Sequence, residues 1–147
     1  MRVHIGSDHA GIELRRDLAA ALRAWGHEVA SEVGPAAPSE SVDYPDIAVQ
    51  VADSVRGEPG SLGLLVCGTG QGVAIAANKQ PGIRAAVVLD PFSAAMAREH
   101  NDANVLCLGA RVCGVELAKV LLRTFLDARF AGGRHARRVD KIEPAPR

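Results

Sequence analysis

The run at 62–67, LGLLVC, is apolar along its whole length and stops at a glycine cluster, GTGQG at 68–72. A strand apolar on both faces has no side to turn to solvent, so it belongs in a sheet covered above and below by helices. Two further runs, at 83–89 and 104–108, are apolar apart from Arg84 and Asn104 and read as strands too, and the first is closed by Asp90 and Pro91. VHIG at 3–6 reads as another strand, and HEVA at 27–30 as a weak one.

The intervening segments carry a helical period. Leu14, Leu18, Leu22 and Trp25 recur at steps of four, four and three, and Gly26 stops the run. Pro45 suits the first turn of a second helix, whose apolar stripe is Ile47, Val51 and Val55. A third helix fits 73–79; a fourth, capped by Ser93, runs to about His100; a fifth spans 115–126 with Leu117, Leu121 and Phe125 on one face. The stretches at 34–43 and 57–60, rich in proline, glycine and serine, read as loops, and the basic segment from about 131 as an irregular tail. Strand and helix thus alternate about five times, which predicts an α/β fold: a five-stranded parallel sheet with helices on both faces. In open sheets of this kind ligands sit beyond the carboxyl ends of the strands, which singles out Asp8 and His9, the segment 67–72, Asp90 and the residues after Leu108.

Composition narrows the function. A length of 147 residues is about one domain. Lys plus Arg (17) equals Asp plus Glu (17), whereas a general nucleic-acid binder needs a cationic surplus to displace counterions. Aromatic residues, at 3%, are too few for a base-stacking platform. No apolar run is long enough to span a membrane, and MRVHIG at the start lacks the basic and apolar regions of a signal peptide. Three cysteines in unlike contexts do not make a disulfide framework, so a cytoplasmic setting is expected.

Four groups could carry chemistry. The loop at 68–72 lets backbone approach a ligand, and the helix after it aims N–H groups there. It is not a dinucleotide fingerprint, since Val73 stands where the third glycine would be, nor a nucleotide phosphate loop, since no Lys-Ser or Lys-Thr follows; a plain strand-to-helix turn is the alternative. Cys67 stands at a strand end facing that helix, where a thiolate is favoured, although a small buried hydrophobe would fit too. Cys107 and Cys113 lack such a loop and read as core. Asp8 with His9, and Glu99, His100, Asn101 and Asp102, pair imidazoles with carboxylates, a proton-transfer inventory, although His100 also suits a helix C-terminus. Cys67, Asp8, His9 and His100 are metal-ligand types, but without ligand spacing. Arg111, Arg134, Arg137 and Arg138, with His135, could hold phosphate or form a solvated tail.

In order along the chain stand GSDHAG at 6–11, DYP at 43–45, CGTGQG at 67–72, IAANK at 75–79, GIRA at 82–85, REHNDAN at 98–104 and GGRH at 132–135. This set resembles the ribose/galactose isomerase family, in its type B ribose-5-phosphate isomerase branch, from Val3 to about Arg138. The resemblance implies one Rossmann-like, three-layer α/β/α domain over 1–147. It implies interconversion of ribose 5-phosphate and ribulose 5-phosphate with no metal or other cofactor. It also implies a homodimer, sometimes paired into a tetramer, with active sites shared between subunits. By motif, Cys67 would be the proton-shuttling base, His100 the ring opener and Thr69 a third catalytic residue. Asp8, His9, Gly68, Gly70, Gln71, Gly72 and Asn101 would bind the sugar; Arg111, Arg134 and Arg138 would bind phosphate. A branch whose base is a glutamate after the third loop glycine is set aside, because Val73 stands there. Alternatives within the resemblance are a related substrate (allose 6-phosphate, galactose 6-phosphate or a free aldose) or a non-catalytic subunit.

Overall fold

β3 (Leu62–Cys67) is buried at every residue and sits at the centre of a five-stranded sheet ordered β2-β1-β3-β5-β4. Its partners are β1 (Arg2–Ser7) and β5 (Val105–Gly109), β2 (Glu28–Val33) and β4 (Ala85–Val87) form the edges, and every pairing is parallel. The computed structural model describes residues 1–143; positions 144–147 of the expected domain and its basic tail lie outside the described residues.

Parallel strands need crossovers, and helices supply them. These are α1 (Ile12–Ala24), α2 (Tyr44–Gly57), α3 (Gln71–Ala77), α4 (Pro91–Asn101) and α5 (Val115–Asp127), followed by α6 (Arg134–Val139). Side chains of a strand alternate between faces, so β3 feeds two cores. Leu64 and Val66 join Ile5, Leu106 and Leu108 against α1, α4 and α5. Leu65 and Cys67 join Val105 and Cys107 against α2 and α3. The result is a three-layer, Rossmann-like α/β/α sandwich. Each fully buried Leu or Phe side chain in these layers contributes about 1.5–3 kcal/mol.

The structure corrects four expectations. The strand expected over 83–89 is only Ala85–Val87. Asn78 accepts the Ala85 N–H (2.7 Å) and donates to its carbonyl (2.9 Å), occupying the outer edge as a neighbouring strand would. Ser93 is not the cap of α4: Asp90 is, its carboxylate accepting the Ser93 N–H (2.8 Å) and hydroxyl (2.6 Å), with Pro91 opening the helix. On α5 the core face is Ala118, Leu121, Leu122, Phe125 and Leu126, while Leu117 is exposed. The segment from 131 is not wholly irregular, because residues 134–139 form α6, which buries His135 and Val139 one helical turn apart.

Two glycines lock the loop after β3 onto the end of β5. Gly70 adopts a left-handed φ of 79°, which only glycine reaches without strain. Gly109 lies so close to Thr69 that a Cβ would fall 2.7 Å from the Thr69 carbonyl carbon. Gly109→Ala therefore forces backbone apart, and overpacking of this kind costs about 1–3 kcal/mol. A lowered denaturation midpoint with unchanged m-value is the expected result; an unchanged midpoint contradicts this packing.

Candidate functional site

In a 2-1-3 arrangement the strand order reverses between β1 and β3, and a crevice opens beyond their carboxyl ends. Cys67 is the last residue of β3. The residue is 5% exposed, and its Sγ accepts the Gly70 N–H at 3.2 Å. Asp8 directly follows β1 and is buried; its N–H donates to the Val66 carbonyl (3.3 Å), and its Oδ1 accepts the Ala10 N–H (2.9 Å), capping the 3-10 turn His9–Gly11. His9 Nδ1 is buried with no hydrogen-bond partner, a polar atom left available to a ligand.

The segment after β5 closes the same end. The Ala110 N–H donates to the Cys67 carbonyl (2.8 Å) and the Arg111 N–H to the Gly68 carbonyl (3.0 Å). The Arg111 guanidinium lies against Gly68, 3.3 Å from where a Cβ would stand. Thr69 and Gln71 are exposed, and the Gln71 N–H points to Thr69 Oγ1 at 3.4 Å. The structure thus gathers Asp8, His9, Cys67, the loop 68–72 and Arg111 at one end of the sheet.

His100 and Asn101 are at the other end. α4 leaves the carboxyl end of β4 and returns antiparallel, so its last turn lies beside the start of β5. Gly63 pairs with Val105 and Cys67 with Gly109, so four residues of strand, roughly 13 Å, separate the two ends. α6 packs on α4 there: the His100 and His135 rings stack with centroids 4.2 Å apart and planes 8° from parallel. Arg134 and Arg138 flank this stack on α6, both exposed. Within one chain, then, His100, Asn101, Arg134 and Arg138 do not meet Cys67.

Burial sorts the cysteines. Cys107 is wholly buried, and desolvation followed by its neighbour Cys67 pushes its thiol far up from the ordinary value. Burial also raises Cys113. Neither borders the glycine loop. Among the described residues no cluster of three or more His, Cys, Asp or Glu side chains could hold a metal ion, and no helix is long and apolar enough to cross a membrane.

Several charged residues that the sequence did not single out shape both ends. Arg15 is buried and donates to Ser7 Oγ (3.0 Å), Val33 O (3.3 Å) and Pro35 O (2.9 Å), bracing the strand end that carries Asp8. Arg84 and Arg98 both hold Asp102, at 3.0 and 2.9 Å, at the end of α4. An arginine on an apolar helix face was the only available signal for Arg15.

The fold defines the chain as a doubly wound α/β protein whose candidate site lies at the β1–β3 switch point. A family model described as Ribose/Galactose Isomerase matches residues 3–142. Ribose-5-phosphate isomerase B of Escherichia coli (strain K12) is 46% identical over 141 residues, covering 96% of this chain and 93% of the relative. The solved structure of ribose-5-phosphate isomerase B from Clostridium thermocellum superposes with a TM-score of 0.91 at 51% identity, over 97% of this chain and 95% of that one. Ribose-5-phosphate isomerase B from Mycoplasma genitalium, solved with bound ribulose-5-phosphate, gives a TM-score of 0.91 at 43% identity, over 96% and 93%. The chain belongs to the ribose/galactose isomerase family.

Burial, then His100, then the Arg134 and Arg138 guanidinium groups hold the His135 imidazole below the ordinary histidine value of 6.5. The folded chain therefore binds this proton less readily than the unfolded chain. The docking of α6 is at full strength above pH 6.5 and weakens as pH falls through the lowered value. An NMR titration should place the His135 midpoint below 6.5, with amide protection in α6 falling over the same range; a midpoint above 6.5 contradicts the assignment.

Proposed function

We propose that this chain is an aldose–ketose isomerase that interconverts ribose 5-phosphate and ribulose 5-phosphate, with Cys67 as its base. The carrying observation is the Cys67 Sγ at the switch point, accepting an N–H from the glycine loop. That contact fixes the sulfur beside the loop, and it is the thiolate form of a cysteine that takes a proton. The liganded relative and the family membership support the pentose phosphate as substrate.

The chemistry follows from the inventory. His100 moves a proton to open the furanose ring. The Cys67 thiolate removes the C2 proton of the open aldose, and the electron pair runs to O1. The resulting enediolate is held by N–H groups of the loop 68–72 that Sγ does not engage, together with Thr69 and Asn101, while the Asp8 carboxylate accepts from a sugar hydroxyl. Each such preorganised donor is worth about 3–4 kcal/mol. The proton returns to C1 as the carbonyl forms at C2, while a proton passes from O2 to O1. Arg111, with Arg134 and Arg138, grips the phosphate and fixes the reacting carbons against sulfur, helped by His9.

Because His100, Asn101, Arg134 and Arg138 lie a strand's length from Cys67 in one chain, a complete site takes them from a second copy. We assign a homodimer on that ground, free to pair further into a tetramer. Three unpaired cysteines suit a reducing cytoplasm, and the substrate suits the pentose phosphate pathway.

In deuterated water the protein should exchange label into C1 of ribulose 5-phosphate. Cys67→Ala should lower that exchange and kcat about 10²- to 10⁴-fold with circular dichroism unchanged; unimpaired exchange rejects Cys67 as the base. Cys67→Ala and His100→Ala, each inactive alone, should regain about a quarter of wild-type activity when their subunits are mixed, since half the dimers then hold one intact site. No recovery on mixing rejects the shared site.

A further inference from the structure

The last turn of a helix leaves carbonyls without partners, and a glycine in the left-handed region is the usual ending. α4 ends differently. Asp102 takes the left-handed position, φ 45° and ψ 42°, and is the only non-glycine with positive φ among the described residues. Asparagine and aspartate tolerate this region better than other side chains, but at a cost glycine avoids. Ending the helix does not explain a carboxylate there.

The carboxylate binds two guanidinium groups from different places. Asp102 Oδ2 accepts from Arg84 Nη2 at 3.0 Å, and Oδ1 accepts from Arg98 Nη1 at 2.9 Å. Arg84 belongs to the segment before β4, Arg98 to α4 itself, one turn back. Each arginine also takes carbonyls of the helix end. Arg84 Nε donates to Asn101 O (3.1 Å) and Asp102 O (2.9 Å), and Arg98 Nη1 donates to Ala103 O (2.7 Å). The Arg84 guanidinium also pairs with Glu143, at 2.6 Å from Nη1. Arg98 is seated over the Phe125 ring, 5.7 Å from its centroid, which ties the assembly to the core. All three side chains are at most one-third exposed, so solvent screens these pairs less than surface ones.

The geometry points to Asp102 as a positioning residue: its two-arginine clamp fixes the backbone that carries His100 and Asn101, so that His100 meets the sugar ring oxygen of the partner's site. This inference rests on the isomerase reading and on His100 as the ring opener. A misplacement of about 1 Å at such a group can cost a hundredfold in rate. The clamp touches neither Cys67 nor the loop 68–72, and of the groups that hold the enediolate it places only Asn101, so the proton relay at sulfur depends on it less.

Ribose 5-phosphate must be opened, whereas ribulose 5-phosphate has no free hydroxyl placed to close a furanose and is already open. Asp102→Asn keeps the left-handed backbone and removes the charge. It should lower turnover of ribose 5-phosphate about ten- to a hundredfold, and lower C1 deuterium exchange from ribulose 5-phosphate at least about fivefold less. Both assays are run well below the melting temperature and at several protein concentrations, so that unfolding or subunit dissociation, which remove both activities together, are recognised. Arg84→Gln tests the other half of the clamp and should give the same split. Equal loss of both activities, or loss of neither, in two folded variants overturns the clamp while leaving the isomerase reading intact. A wild-type protein that neither isomerises nor exchanges overturns the reading and the clamp's role with it.

Discussion

Every strand of the sheet points the same way, and the rest of the molecule follows from that constraint. Parallel neighbours cannot be joined by hairpins, so each connection is a helix that runs back antiparallel to the strands. Residues just after a strand therefore collect at one end, as Asp8, Cys67 and Arg111 do. Residues at the end of a crossover helix collect at the opposite end, as His100 and Asn101 do. The division of the candidate site into two halves is a property of the topology, not of loop conformation, and no side-chain rotation within one chain would join them.

The same constraint explains the order of packing. β3 is central, apolar on both faces, and sends Leu65 and Cys67 to one layer and Leu64 and Val66 to the other. Cys67 is thus the last member of a core row and the first residue of the crevice. Its backbone is held by β5 through the Ala110 N–H, and its sulfur by the Gly70 N–H, so the thiol has a fixed place before any ligand arrives. Preorganisation of this sort matters because the donors of an enediolate site act only if they need not move when charge develops. The far half is held differently, by charge: Arg84, Arg98 and Asp102 fix the end of α4, and α6 presents His135 to the face of His100.

Much of this was legible in the residues. The continuous apolar run 62–67 and its glycine cluster located β3 and the crevice, because burial on both faces leaves a pattern that tolerates no polar residue. The edges were harder to read. β4 pairs with β5 over Ala85–Val87 alone, and the Asn78 side chain that meets the outer groups of Ala85 carries no such message in sequence. On α5, apolar residues nearly all round blur the periodicity: the buried set is 118, 121, 122, 125 and 126, which shares Leu121 and Phe125 with the expected face and leaves Leu117 outside. α6 is too short for a period: only His135 and Val139 are buried, within a run of arginines. Asp90 as the cap was legible, since Asp before Pro is an N-terminal signature, whereas Ser93 lies inside the first turn. The left-handed turn at Asp102 is a product of tertiary packing and leaves no local trace, and the buried role of Arg15 leaves only its place on an apolar helix face.

The seal at Asn78 bears on how copies of this chain can assemble. A sheet grows across subunits by lending the unused hydrogen bonds of an outer strand to a neighbour. On the β4 side that invitation is withdrawn, because one side-chain amide already answers Ala85 in both directions. Ribbon-to-ribbon joining at this residue would have to evict that amide first, a toll levied at the very place where β4 begins.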